Sequence, residues 1–414
     1  MFPTASGPAT ASAPTAGPAP RAPAGWAAGH LLRRAAPALL GYTAVRLLGT
    51  LVLMKWAHLQ HRGLWPLLAD RWDSRWYLGI ADHGYADAFD EGGAGESNLA
   101  FFPLYPVLVK AVAGVTPGSR ASVGLVVAVG CALVAAWGVF AVGDRLYGAR
   151  VGTVLAVLWG ATPVAAVQWT GYTESLFTAL VAWSLYAVLT GRWVAGGVLC
   201  LFAGLTRPTG LALAAGVCVS GVVALGRLRR AAVPETASGA PRGPGPAGVR
   251  RIVLGVLLAP LGWLGYVGWV GLRLGRADGY FAVQRQWRNQ WDGGRETLRT
   301  LRNLLIYPSH PQLFLVVVSL VLIVSVALFL LCVCDRQPLP LLVFSGVLLL
   351  IVLGSGGVYF PRARFLLPGF PLLLPLALAI AHAHRRVAAL CLSAAALGSA
   401  YFGAYMTLVY GGPP

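Results

Sequence analysis

The chain has 414 residues, of which 57% are hydrophobic and only 11% charged, with a mean hydropathy of +0.69. A soluble domain carries about 25% charged residues, so composition excludes a water-soluble enzyme, a secreted disulfide scaffold and a disordered protein. The formal net charge of +18 comes almost wholly from arginine placed between apolar runs, which reads as membrane flanks and not as a nucleic-acid face.

In chain order, residues 1–30 are rich in Pro, Ala, Thr and Gly and read as a disordered cytoplasmic tail without a cleavable signal pattern. The first apolar run, 36–54, follows Arg33 and Arg34 and reads as an uncleaved anchor. A bilayer core needs about 20 apolar residues per helix. By that measure further spans lie at 121–143, 151–168, 174–190, 194–206, 209–225, 252–273, 312–334, 338–354, 365–383 and 387–410. The expectation is an all-α polytopic membrane protein of about 11 transmembrane helices, with 194–206 the shortest. Residues 31–225 form an N-terminal transmembrane module, 226–251 a flexible Pro- and Gly-rich cytoplasmic tether, and 252–414 a C-terminal module with an outer loop at 274–311. Arginine in the short connections places those inside, so 55–120, 169–173, 207–208, 274–311 and 355–364 face outward. This describes a multi-pass plasma-membrane protein. Arg46, within the first span, is expected to face the bundle. The six cysteines lie in apolar segments without CxxC spacing and read as small buried hydrophobes.

The acids are concentrated in one place. Seven of the 14 fall between 70 and 96: Asp70, Asp73, Asp82, Asp87, Asp90, Glu91 and Glu96. The same stretch is dense in aromatics, and Trp72, Trp76 and Ile80 recur at i, i+4, i+8, the stripe of a helix lying on a membrane with Asp73 and Arg75 turned off it. Residues 99–118 read as interfacial too. An acid–aromatic helix at the membrane surface suggests a catalytic loop more than a connector.

These residues carry a resemblance. The run WDSRWYLGIADHGY (72–85), followed by NLAFFPLYP (98–106), resembles the first extracytoplasmic loop of the PIG-V mannosyltransferases, members of the GT-C superfamily. YTESLF (172–177), LTRPTG (205–210), YFAVQRQW (280–287) and PRARFLLPGFPLLLP (361–375) follow in the family's order. The resemblance implies a GT-C-like fold with a long first outer loop bearing juxtamembrane helices, and transfer of a sugar, mannose, from a polyprenyl-phosphate donor. It implies that Asp73 is the catalytic base, with Asp82 second.

The chemistry fits those residue types. A leaving phosphate needs no proton, so one carboxylate suffices to accept the proton of the acceptor hydroxyl. The phosphate needs fixed positive charge, which arginine supplies as a planar donor fork. Arg207, Arg364 and Arg362 are the candidates for the donor phosphate, with Arg364 preferred because it opens the RFLLP element. Arg75, His83, Tyr172, Glu174, Gln284 and Trp287 complete the candidate substrate-binding set, Glu174 being either functional or merely solvated at a helix start. No metal site has good ligand spacing, while the paired acids of the first loop leave a divalent cation, Mg or Mn, open. The expected partners are the polyprenyl-phosphate sugar, a lipid, glycan or protein acceptor, and membrane lipids, with no nucleic acid. A transporter or flippase is the alternative. It would place acids and broken helices at the midplane, whereas this chain gathers its acids in an outer loop. A nucleotide-sugar transferase would need a phosphate-binding strand–loop–helix unit, which the sequence lacks.

Overall fold

A computed structural model describes residues 24–86, 96–231, 246–307, 312–410 and 412–413. The helices are α1 (Ala24–Leu59), α2 (Leu64–Ala69), α3 (Asp73–His83), α4 (Leu104–Ala113), α5 (Arg120–Tyr147) and α6 (Ala149–Gly160). They continue as α7 (Glu174–Leu189), α8 (Trp193–Gly204), α9 (Gly210–Ala231), α10 (Pro246–Leu258), α11 (Leu261–Arg273) and α12 (Gly279–Gln286). The last are α13 (Arg295–Ile306), α14 (Leu313–Cys334), α15 (Leu339–Gly354), α16 (Arg362–Phe365), α17 (Leu374–His382) and α18 (Arg385–Tyr405). Among the described residues the only strands are Gln290–Trp291 and Ser355–Gly356, paired antiparallel. The fold is therefore all-α and polytopic.

Six helical segments are long and apolar enough to cross a membrane: Leu32–Leu59, Arg120–Tyr147, Gly210–Arg230, Ala247–Arg273, Leu313–Cys334 and Arg385–Tyr410. The other expected spans are helical but shorter, at 10–17 residues. The breaks have local causes. α6 stops at Gly160, just before Pro163, and the chain continues as a 3-10 turn over Ala165–Trp169. Residues 365–383 split at Pro368 and Gly369 into a 3-10 turn, Phe370–Leu373, and α17. Proline lacks the N–H that a continuing helix requires. Hydropathy registers apolar length and not such breaks, so the expected segments comprise six long helices and a set of shorter ones.

The bundle is built by neighbours along the chain. α5 packs on α6 and α7, α7 on α8, α8 on α9 and α10, while α1 lies against α6 and α18. Small residues set the closest crossings: a Cβ on Gly143 would stand 2.7 Å from the Cα of Gly152 where α5 meets α6. α1 begins at Ala24, inside the expected 1–30 tail, so 24–30 is helical; residues 1–23 lie outside the described residues. Of the expected tether, 226–231 ends α9 and 246–251 begins α10, with 232–245 outside the described residues.

The acid–aromatic loop does contain the expected helix, α3, but its inward face differs. Ser74, Tyr77, Ile80 and Ala81 are buried, so Ile80 packs into protein. Trp72 packs against the main core with the Arg71 guanidinium 4.1 Å from its ring. Trp76 stacks on Phe101 at 5.6 Å. The Trp72–Trp76–Ile80 stripe is thus not a lipid face. Aromatic rings serve a protein contact as well as a headgroup layer, and the small Ser74 allows the closer approach on that side.

Candidate active site

Four of the sequence candidates, two acids and two arginines, meet at helix ends. Asp73 is the first residue of α3, Glu174 the first of α7, Arg207 sits between α8 and α9, and Arg364 lies in the one-turn α16. The Arg364 Nη2 donates to Asp73 Oδ2 at 2.6 Å, and its Nε lies 3.1 Å from Glu174 Oε1. Arg207 Nη1 is 2.6 Å from the same Glu174 oxygen and donates to Thr173 Oγ1 at 2.9 Å. Two carboxylates and two guanidiniums thus form one chain, Asp73–Arg364–Glu174–Arg207.

The burial is unequal, and that separates the roles. The Glu174 side chain is 1% exposed and that of Asp73 is 21% exposed. Glu174 is therefore not a solvated helix start. It is an interior anchor for both guanidiniums, and the N-terminal dipole of α7 adds to its stability there. Its Oε2 and the Arg364 Nη1 are buried with no hydrogen-bond partner among the described residues. Asp73 is the most exposed member of the chain.

Local backbone explains how these groups come together. Gly171 donates its N–H to Leu68 O at 2.9 Å, bringing the loop before α7 against α2. A Cβ at Gly171 would stand 3.2 Å from Ser74 Oγ and 3.3 Å from Ala69 O, so only glycine admits this approach comfortably. Trp72, directly before Asp73, has φ +48°, a strained conformation for a bulky residue. Such strain costs on the order of 1–3 kcal/mol and concentrates at functional sites.

Rings frame the cluster. The Arg364 guanidinium lies 5.2 Å from the Tyr172 ring and 5.5 Å from the Phe365 ring, and Arg207 lies 5.4 Å from Phe365. Tyr77 shares a hydrogen bond with Thr173 Oγ1 at 3.1 Å. Burial pushes the Tyr172 hydroxyl well above its ordinary value, with the Asp73 charge adding to it. Burial works to lower the Arg364 guanidinium, but Asp73 and Glu174 outweigh it and hold Arg364 above its ordinary value. Arg364 therefore stays charged at every working pH.

The remaining candidates lie elsewhere. Asp82 pairs with Arg120 at the start of α5 and does not join the cluster. His83 is exposed at the end of α3. Arg75 is exposed and 3.3 Å from Asp70. Arg362 is 1% exposed and donates to Val358 O at 3.1 Å, to Thr297 Oγ1 and to Ser355 O. It staples α13 to the 355–364 loop, with its donors engaged there. Gln284 accepts from Asn289 Nδ2 at 2.9 Å and donates to Tyr280 OH at 2.8 Å. Trp287 donates to Ser97 O at 3.0 Å and sets its ring edge-on to Trp76 and Phe101, both within 5.3 Å. The segment bearing Trp287 is thereby locked to α3, one helical turn beyond Asp73. Asp87, Asp90 and Glu91 lie outside the described residues.

Sequence reasoning missed Thr173, Tyr77, Ser74 and Phe365. Thr173 and Phe365 adjoin residues that were singled out, and Tyr77 follows Asp73 by one turn, so helical spacing carried a usable signal. As for a metal, no group of three or more His, Cys, Asp or Glu side chains occurs among the described residues. Asp70, Asp73 and Asp82 each face an arginine instead.

No protein-family model and no curated protein matches this chain. Solved structures similar to it include those of the Archaeoglobus fulgidus oligosaccharyltransferase. One, tethered to an acceptor peptide, is 16% identical with a TM-score of 0.48. A second, of AglB with an inhibitory peptide and a dolichol-phosphate, is 15% identical with a TM-score of 0.48. A third, with Zn and sulfate, is 14% identical with a TM-score of 0.46. The first two alignments cover 90% of this chain but 56% of the archaeal chain, and the third covers 89% and 54%.

Proposed function

We propose that the chain is a membrane glycosyltransferase of GT-C type that moves a sugar, mannose, from a polyprenyl-phosphate donor to a hydroxyl of an extracytoplasmic acceptor. The observation that carries this reading is the Asp73–Arg364–Glu174–Arg207 array, which places a reachable carboxylate beside an arginine pair held by a buried acid. The donor phosphate takes the Arg364 guanidinium, with Arg207 beside it, and in doing so releases the Asp73 oxygen that Arg364 holds. The acceptor oxygen then attacks the anomeric carbon. The bond from that carbon to the phosphate oxygen breaks, its electron pair leaves with the phosphate, and Asp73 accepts the acceptor's proton. Glu174 touches neither reactant: it positions both guanidiniums. No step needs a second carboxyl as acid, because phosphate leaves as an anion.

A lipid-borne donor is supported by an apolar cavity of about 380 Å³ that adjoins α16, lined by Leu158, Trp159, Val164, Leu320, Leu366 and Leu373. It offers an isoprenoid chain an apolar wall that includes Ala363, the chain neighbour of Arg364. On this reading the site faces outward at the plasma membrane, and the acceptor is a lipid, glycan or protein of the envelope. The test uses membranes containing the chain with radiolabelled polyprenyl-phosphate mannose and, separately, labelled GDP-mannose. Label transfer from the lipid donor with release of polyprenyl phosphate is expected. Transfer from GDP-mannose alone, or no turnover of any lipid-phosphate sugar, overturns the proposal.

A further inference from the structure

Several helices run from the Asp73 cluster to the opposite end of the bundle. α7 starts at Glu174 and reaches Leu189 after 16 residues, about 24 Å at 1.5 Å per residue. α8 returns from Trp193 to the segment bearing Arg207, and α9 leaves again from Gly210 towards Arg227. At that far end a cavity of about 610 Å³ opens between the α7–α8 turn, the last turns of α9 and the α14–α15 turn. Ligand pockets fall at about 300–1,000 Å³. The catalytic proposal uses none of it.

Its lining is divided by polarity. Val188, Leu189, Trp193, Val223, Leu339 and Leu342 form an apolar wall. Arg227 and Arg336 stand at its rim, both exposed, and neither has a carboxylate partner among the described residues. Asp335, next to Arg336 in the chain, makes no ion pair among the described residues. Deeper in, Ser220 is 7% exposed and Gln337 4% exposed. Ser220 Oγ and Gln337 Nε2 have no hydrogen-bond partner among the described residues. Buried donors are almost always satisfied. Two unmet donors below two free guanidiniums ask for an acceptor group carrying negative charge.

We propose that this cavity binds an anionic phospholipid, its phosphate held by Arg227, Arg336, Ser220 and Gln337 and its acyl chains laid along the Val188–Trp193 wall. Arginine's donor fork matches phosphate geometry. The apolar wall distinguishes a lipid phosphate from a free one, and a basic pocket between helices at a membrane surface suits such headgroups. The site is separate from the donor site by the length of α7.

The experiment uses the full chain in detergent, titrated with phosphatidylglycerol, phosphatidylcholine or inorganic phosphate and read by native mass spectrometry and melting temperature. Phosphatidylglycerol is expected to bind and raise the melting temperature, while phosphatidylcholine and phosphate do not. Arg227→Gln/Arg336→Gln is expected to weaken phosphatidylglycerol binding on the order of 30-fold. Both side chains are exposed, so the lipid-free variant should melt as wild type does. Arg227→Gln alone should give about a fivefold loss. Arg192→Gln, an exposed arginine at the same end but outside the cavity lining, should bind normally. Equal binding of phosphatidylcholine, equal stabilisation by inorganic phosphate, undiminished binding by both arginine variants, or an equal loss in Arg192→Gln would each overturn the proposal.

Discussion

Replacing Glu174 with alanine is expected to destabilise the fold more than any other single change in the cluster. Its side chain is 1% exposed and lies within 3.1 Å of both Arg207 and Arg364, whose side chains are 8% and 7% exposed. Removing it leaves Arg207 with Thr173 Oγ1 and Arg364 with Asp73 alone. Breaking a buried pair by deleting one partner costs about 3–5 kcal/mol, because the surviving charge stays in a poorly solvating place. The exposed pair Arg75–Asp70, at 68% and 43% exposure, provides the contrast. Arg75→Ala should cost about 0–1 kcal/mol. Unfolding of the purified protein in mixed micelles, followed by loss of helical signal as denaturing detergent rises, measures both. In the double variant Glu174→Ala/Arg207→Ala the losses should fall short of the sum of the singles by about 0.5–3 kcal/mol, since one orphaned charge is gone. A Glu174→Ala protein within about 1 kcal/mol of wild type would refute the assignment of Glu174 as the anchor of both arginines.

Other outcomes follow from the same geometry. Arg364→Ala and Arg207→Ala should each weaken donor binding about 10- to 150-fold, the value of one lost charge-assisted phosphate contact; equilibrium binding of the lipid donor checks this. Arg362→Ala should lower stability and leave donor affinity near normal in the protein that remains folded, because its contacts are Thr297, Ser355 and Val358. Trp287→Ala should loosen the 279–307 segment from α3, losing two edge-on ring contacts worth about 0.5–1.5 kcal/mol each beyond buried area; faster proteolysis within that segment reads it.

Much of this site was legible in the sequence. Asp73, Tyr172, Glu174, Arg207 and Arg364 were each placed on the same side by counting apolar spans, and the structure brings all five together. The choice between Arg362 and Arg364 shows where sequence runs out. Two residues apart on a helical turn point in nearly opposite directions, about 200° apart. Arg364 thus meets Asp73 while Arg362 meets Thr297, and only the orientation of a four-residue helix decides which. Asp82 was hidden by distance in the chain, since Arg120 lies far downstream. The stripe on α3 was misread because hydropathy does not distinguish a headgroup layer from a neighbouring ring such as Phe101. Helix length was less legible than helix position, because Pro163 and Pro368 shorten helices within apolar runs whose average hydropathy stays high.

The central claim is that Asp73 accepts the acceptor's proton, and turnover by Asp73→Asn tests it most directly. Asparagine keeps the size and one acceptor oxygen for Arg364 but cannot take up the proton. General-base catalysis contributes about 10²–10⁴-fold, so turnover of polyprenyl-phosphate mannose should fall by at least that much. Donor affinity should hold or tighten, because Arg364 is no longer shared with a charged carboxylate. Turnover above about a tenth of the wild-type rate in a folded Asp73→Asn protein would contradict the account.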